Sequence, residues 1–369
     1  MRIRDFDGVT DVAIGYRGAG LKEEHRMTEA TKTRIQSLDD FRRLLHALPG
    51  PDTLSAEAAA AREPQLTKPP GSLGRLEAVS AWLTAWQGRH PPTVERPAAR
   101  VFAGNHGVAA QGVSAFPAEV TVQMVANFEA GGAAINQLCQ AFGVDLGVTA
   151  LDLDRPTADF THAAAMDESA CVAAINAGID AVGDGTDVLC LGEMGIGNTT
   201  SAAALAHALF GGEAAEWTGP GTGVAGAELA NKAAVVARAV HRHERESTDA
   251  VDLLCRLGGR ELAAIAGATV AARLRRIPVV LDGYVCTAAV APLAAYRGDA
   301  LDHCQVGHAS AEPGHRRLLE RLGKHPLLDL DMRLGEASGA VLAIAVLRAA
   351  SACHGGMATF AEAGVSGAD

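Results

Sequence analysis

The sequence predicts an α/β fold in which a parallel sheet carries helices on both faces, and three observations point to it. Short apolar runs alternate with helical stretches along most of the chain, as strand–helix repeats require. Glycine and alanine are abundant while aromatics make up only 4% of the residues, so helices can pack close to a sheet. The segments richest in polar and glycine residues fall directly after the apolar runs, where open parallel sheets place their ligands.

The candidate strands are 99–103, 144–151, 187–191, 277–281 and 302–306, each a brief apolar run bounded by turn residues. Between them, helical spacing covers 118–141, 166–182, 199–210, 226–243, 261–274 and 285–296. Before the sheet, Ser37 and Asp40 read as a helix start, and 51–90 is alanine-rich and helical around an interruption at KPPGSLGRLE. Prolines in 87–97 mark a linker, and 337–364 reads as a helical stretch that returns toward the N-terminal helices. Residues 1–26 show no periodicity and are expected to be a disordered or non-native extension; 27–97 is expected to form the N-terminal helices and linker, 98–336 the large α/β domain, and 337–369 the returning C-terminal segment.

With 369 residues, 48% of them apolar, the chain has an ample core. A formal charge of −11 disfavours binding to a nucleic-acid backbone, although local amides and one lysine could still hold a single phosphate. Seven scattered cysteines without a C-x-x-C pair suggest buried thiols in a reducing compartment. No uninterrupted apolar run reaches the roughly 18 residues of a membrane span, and the N-terminus lacks a secretory h-region, so a cytoplasmic location is expected.

Four segments can carry chemistry. LGEMGIGNTT, 191–200, ends a strand with glycines and opens a helix with Asn198, Thr199 and Thr200, a geometry that offers free amides and a dipole end to an anion. An ordinary N-capped helix would use the same residues. TGPGTG, 218–223, is a second glycine-rich turn, and the nearby Lys232 could complete a phosphate site or simply be solvated. LDGY, 281–284, sets Asp282 after a strand, where it could meet a ribose hydroxyl or cap a helix. RLGEASGA, 333–340, sets Glu336 at the entry of an apolar helix, either as a cap-type charge or as a general base presented to a cleft. His106 in AGNHGV lies at a strand end, where polar side chains are often functional. His303, His308 and His315 match no metal-ligand spacing, and no metal or cofactor is expected.

Taken together, KPPGSLGRLE, AGNHGV, GVSAFPAEVTVQMVANFEAGGAAI, LGEMGIGNTT, TGPGTG with its following Asn231–Lys232, LDGY and RLGEASGA resemble the nicotinate-nucleotide–dimethylbenzimidazole phosphoribosyltransferase family, in the family's order over about residues 66–350. The resemblance implies a Rossmann-like large domain, a small helical domain built from both chain ends, and a homodimer. It also implies the reaction of nicotinate mononucleotide with 5,6-dimethylbenzimidazole to give α-ribazole 5′-phosphate and nicotinate, a step of cobalamin lower-ligand synthesis. Carried onto this chain, Glu336 would accept the proton. Glu193, Gly195, Asn198, Thr199 and Lys232, with Asp282 and Gly283, would hold phosphate and ribose. Phe116, Met124, Met194 and Leu334 would line the base pocket. Family members often carry Ser, Gln and Leu where this chain has Phe116, Met124 and Met194, so a more apolar pocket is expected. Ala337 replaces the usual Gly after the Glu, a change expected to carry no penalty, and Glu336 is expected to stay ionised beside a helix dipole. The alternatives are a related transferase acting on a purine or phenolic acceptor, and a non-catalytic nucleotide-binding regulator.

Overall fold

A computed structural model describes residues 34–247 and 249–366, so the expected extension 1–26 lies outside the described residues. Six strands form one sheet in the order β2-β1-β3-β4-β5-β6. They are β1 (Pro97–Ala103), β2 (Asp145–Ala150), β3 (Val188–Met194), β4 (Val279–Leu281), β5 (Cys304–His308) and β6 (Pro326–Leu328), and every pairing is parallel. The result is a Rossmann-like parallel sheet with helices on both faces.

The interior strands are buried on both sides, and alternation along them divides two cores. In β3, Leu189 and Leu191 belong to the core beneath helices Glu168–Ala181 and Arg260–Leu274, whereas Val188 and Cys190 face the core beneath Ser338–Gly356. The chain reverses its direction of travel between β1 and β3: β2 was added on one side of β1, and every later strand is added on the other. A reversal of this kind opens a crevice at the carboxyl ends of the strands.

The five expected strands are present, with bounds moved by at most a few residues. The edge strand β6 and the helices Ala250–Leu257 and Pro313–Leu322 escaped the sequence reading. Edge strands this short carry too few residues to show a period, and Pro326 obscures this one further. The stretch 118–141, read as one helix, is two, Glu119–Glu129 and Ala134–Phe142; the break falls at Gly131, whose φ of 78° no helix accepts. The C-terminal helix ends at Gly356 rather than near 364, with only a further short turn at Phe360–Ala363.

Ser37 caps helix Leu38–His46, and Asp40 closes the reciprocal capping box. Helices Thr53–Arg62 and Arg75–Gln87 pack together, and the latter lies along Ser338–Gly356. The two chain ends are tied by Arg62, which donates to the carbonyls of His354 and Met357, and by the Leu66–Thr359 bridge. Ser338–Gly356 is long and apolar enough to cross a membrane by length and composition. Here nine of its residues are buried, among them Val341, Ile344 and Leu347 in the core over the sheet.

Candidate active site

A cavity of about 660 Å³ opens at the carboxyl ends of the strands. β3 supplies Glu193 and Met194 and runs into Gly195, Ile196, Asn198 and Thr199; the loop after β4 supplies Gly283 and Tyr284; β5 and its loop supply His308, Ser310 and Glu312; the segment after β6 supplies Arg333 to Glu336. Phe116, Val120 and Met124 close one side from the start of helix Glu119–Glu129.

The lining is part apolar and part polar. Phe116, Val120, Met124, Met194 and Leu334 make an apolar wall, with Phe116 and Leu334 still 53% and 57% exposed at its mouth. Glu336 lines the same cavity. It is 4% exposed, its Oε2 has no hydrogen-bond partner, and burial raises its carboxyl above the ordinary glutamate range. The expected help of a helix dipole is outweighed by this desolvation. Glu336 lies outside the helix, whose N-cap is Ala337.

The backbone that carries Glu336 is held in an uncommon conformation. Gly335, Glu336 and Ala337 all have left-handed φ, at 91°, 63° and 65°. For the two non-glycine residues this costs of order 1 kcal/mol each. The replacement of glycine by Ala337 therefore carries a penalty, contrary to the expectation from sequence. The buried Ala337 methyl packs in the core over the sheet and offsets part of it.

The helix Asn198–Phe210 brings its N-terminal residues to the cavity beside the TGPGTG turn, whose Thr222 Oγ1 accepts from the Ala115 amide next to Phe116 at 3.0 Å. Glu193 is buried in the same lining. Asn198 Nδ2 donates to its Oε2, and burial, aided by the nearby Asp282 and Glu261 carboxyls, pushes it up to about 8. Glu312 is 4% exposed; its Oε1 accepts from the Gly221 amide at 2.9 Å, its Oε2 is unpartnered, and burial raises its carboxyl.

Ten of the twelve residues singled out from sequence line this cavity: Phe116, Met124, Glu193, Met194, Gly195, Asn198, Thr199, Gly283, Leu334 and Glu336. Lys232 and Asp282 do not. Lys232 is fully buried behind the wall, donating to Thr199 Oγ1 at 2.8 Å and to the Gly219 carbonyl at 2.9 Å, and burial drops it to about 8. Asp282 is sealed beneath the helix Ser338–Gly356, where its Oδ1 accepts from the amides of Gly339 and Ala340 at 2.7 and 3.1 Å. Burial nevertheless pushes it up to about 7. Of the two roles left open for Asp282, the geometry has helix capping.

His106 is buried and is not in the cavity wall. Its Nε2 meets Glu261 Oε1 and its Nδ1 meets Ser201 Oγ at 3.0 Å, in a polar cluster directly behind Gly195. Sequence reading missed Glu312 and gave Arg333 no role; the run SAEPGH at a strand's carboxyl end, with Pro313 opening a helix, was the available signal for Glu312. Among the described residues, no three His, Cys, Asp or Glu side chains are grouped as metal ligands.

Known proteins resemble this chain along nearly its whole length. A phosphoribosyltransferase family model matches residues 48–365. The nicotinate-nucleotide–dimethylbenzimidazole phosphoribosyltransferase of Cereibacter sphaeroides is 59% identical over 335 residues, covering 91% of this chain and 99% of that protein. The enzyme of the same name from Sinorhizobium fredii is 58% identical over 331 residues, covering 90% of this chain and 98% of that protein. The crystal structure of CobT from Thermus thermophilus superposes with a TM-score of 0.80 at 43% identity, covering 85% of this chain and all of that one. With this match extending across the sheet, the cavity lining and the Glu336 segment, the chain belongs to the nicotinate-nucleotide–dimethylbenzimidazole phosphoribosyltransferase family.

Proposed function

We propose that this chain transfers the phosphoribosyl group of nicotinate mononucleotide to 5,6-dimethylbenzimidazole, releasing nicotinate and forming α-ribazole 5′-phosphate, with Glu336 as general base. The observation that carries this reading is a single cavity lined at once by one buried, half-unpartnered carboxylate, by apolar side chains, and by a helix N-terminus with its glycine-rich turn. A flat apolar base and an anionic ribotide need those two environments.

The chemistry fits the residue types. Nicotinate leaves from a cationic pyridinium glycoside as a neutral ring, so its departure needs no acid. The bare ring nitrogen of benzimidazole attacks C1′ while the glycosidic bond breaks, and the opposite N–H becomes acidic as positive charge builds in the ring. A carboxylate at Glu336 takes that proton and stabilises the cationic ring. Single displacement converts the β-ribotide to an α-product. Glu193, Asn198, Gly195, Thr199 and Gly283 would hold the ribotide. Lys232 would support them from behind by bracing Thr199.

A homodimer, a small helical domain formed by the two chain ends, and a cytoplasmic location belong to the same reading. They are supported by the half-exposed Phe116 and Leu334 at the cavity mouth, by the Arg62 and Leu66 ties to the C-terminal segment, and by seven free cysteines, six of them buried.

The test is a mass-spectrometric product assay with nicotinate mononucleotide and a panel of acceptors: dimethylbenzimidazole, benzimidazole, adenine and phenol. Burial of two methyl groups is worth about 0.8 kcal/mol each, so dimethylbenzimidazole should exceed benzimidazole by about tenfold in kcat/KM. Equal values, or a preference for adenine or phenol, would reassign the acceptor.

A further inference from the structure

Phe116 belongs to the apolar lining of the cavity, yet it is half exposed and takes part in neither core. It sits on the loop 112–118, which starts from Gly112 at a φ of 67° and runs into helix Glu119–Glu129. The loop is anchored on both sides. Val113 is buried in the core, and the Gln111 carbonyl before it accepts from Asn231 Nδ2 at 2.8 Å. Beyond the loop, Thr121 Oγ1 accepts from the Ile196 amide at 3.1 Å. The stretch between these anchors, 115–117, is exposed.

A pair of hydroxyls holds that stretch. Thr222 Oγ1 accepts from the Ala115 amide at 3.0 Å and lies 2.9 Å from Ser114 Oγ, which accepts from the Phe116 amide at 3.2 Å. Each oxygen takes one amide, so a single hydroxyl proton joins the two, and consecutive amides of the loop are fixed together. Among the described residues, no other hydrogen bond joins Ser114, Ala115 or Phe116 to another part of the chain. Thr222 is itself presented from a fixed turn. The neighbouring Gly221 amide donates to Glu312 Oε1 at 2.9 Å, and the Gly221 carbonyl accepts from Arg333 Nη1 at 2.8 Å. Thr222 and Phe116 line the cavity, whereas Ser114 does not.

We propose that Thr222 is a positioning residue for the acceptor, holding Phe116 in the cavity lining through its hydroxyl pair with Ser114. The proposal rests on the acceptor assignment made above and adds the group that sets the pose of one wall residue. A ring on an exposed loop must otherwise be ordered when the acceptor arrives, and that ordering weakens binding. Arg333, which holds the same turn, belongs to the segment that carries Glu336, so the aromatic wall and the base share one support.

The test compares Thr222→Val, which keeps the shape and loses the hydroxyl, with Thr222→Ser, Ser114→Ala and wild type. Steady-state kinetics give KM for dimethylbenzimidazole, and calorimetry gives the affinity for nicotinate mononucleotide. Loss of one neutral hydrogen bond weakens an interaction by about three- to tenfold. Thr222→Val and Ser114→Ala should both raise the acceptor KM by that factor, with donor affinity near wild type and Thr222→Ser restoring most of the loss. Both positions are at the surface of the loop and turn, so Tm should stay within about 2 °C of wild type. In a Phe116→Ala background, Thr222→Val should add nothing further, because it acts through the missing ring. A full-sized loss that persists in that background would overturn the proposal. So would weaker donor binding confined to Thr222→Val, which would place the hydroxyl on the donor. Unchanged acceptor KM in both single variants would overturn the proposal and leave the acceptor assignment intact. A wild type that transfers to no benzimidazole would overturn that assignment and the positioning role with it.

Discussion

The backbone amide of Glu336 donates to the carbonyl oxygen of Glu193 at 3.2 Å, so the base candidate and the ribotide-side carboxyl are fastened to one another through the main chain. Gly335 makes this approach possible. It turns at a φ of 91°, and a Cβ there would come within 2.6 Å of Glu193 Oε1.

Glu336→Gln preserves shape and a hydrogen-bond acceptor but cannot take the proton. Loss of general-base help lowers kcat by about 10²–10⁴-fold, while donor affinity measured by calorimetry stays within a few-fold of wild type. A base acts only when ionised. Because burial raises the Glu336 carboxyl, the acidic limb of the wild-type rate profile lies above the pH at which an exposed glutamate would titrate, and Glu336→Gln should lack that limb. Near-normal turnover in this variant would move the base to another carboxyl, with Glu193 the nearest candidate.

The free enzyme should lose stability as the solution becomes alkaline. Burial holds Glu193 at about 8 and Asp282 at about 7, against ordinary values of 4.5 and 3.8. Each carboxyl therefore binds its proton more tightly in the folded chain than in the unfolded one. The stability this contributes is complete below the unfolded values and drains away as the pH rises through about 7 and then about 8. Thermal unfolding of ligand-free protein should show Tm falling as the pH rises from about 5 to about 8 and levelling off above that. In Glu193→Gln the upper part of that fall should flatten. A Tm that is level or rising over this range in wild type would mean that both carboxyls are ionised at little cost.

Lys232 is a brace in this structure, and its substitution should look like the loss of a brace. Lys232→Ala leaves a cavity and removes the donor shared by Thr199 and Gly219, so Tm falls by several degrees and both kcat and donor KM worsen. Lys232→Met keeps most of the volume and loses only the two hydrogen bonds, so it should recover much of the Tm but not the donor KM. A rise in donor KM with unchanged Tm in both variants would instead show direct phosphate contact by Lys232.

How far the sequence could be read depended on what each signal measures. β1 to β5 were legible because a doubly covered parallel strand is a short apolar block, whereas the three residues of β6 are too few to show any pattern. Glu336 was legible as a candidate base from its own segment at a helix entry, whereas Glu193, Phe116, Met124, Met194 and Leu334 were indicated only through the ordered set of motifs that resembles the family. What did not show was depth. A lysine near a glycine-rich turn and an aspartate after a strand look the same in sequence whether they face a cavity or lie behind its wall, and Lys232 and Asp282 lie behind it. Glu312 and the His106–Glu261 pair were hidden for a related reason. Their partners are 91 and 155 residues away along the chain, and only the folded sheet brings them together.

Gly195 offers the sharpest test of that hidden support. Its φ is not in the left-handed region, so alanine is allowed there by the backbone and any effect must come from contact. A methyl at Gly195 would lie 2.6 Å from the Gly104 carbonyl oxygen and 2.8 Å from Glu261 Oε1. Neither neighbour can give way easily. Gly104 is anchored by its amide to the Met194 carbonyl at 3.0 Å, and Glu261 is pinned by His106, which Ser201 holds in turn. The loop itself must therefore move, carrying the amides of Gly195 and Ile196 away from the positions they occupy at the cavity wall. The Ile196 amide would also be drawn off Thr121 Oγ1, its partner at 3.1 Å, which ties the loop to the helix bearing Met124. Gly195→Ala should raise donor KM by at least about tenfold, the size of one lost charge-assisted hydrogen bond, and lower Tm by a few degrees. His106→Asn removes the pin and enlarges the space behind the loop, so the double variant Gly195→Ala, His106→Asn should regain part of the donor affinity lost in the single variant. Steady-state kinetics on the three variants decide the matter, and donor KM unchanged in Gly195→Ala would mean that the loop does not depend on the cluster behind it.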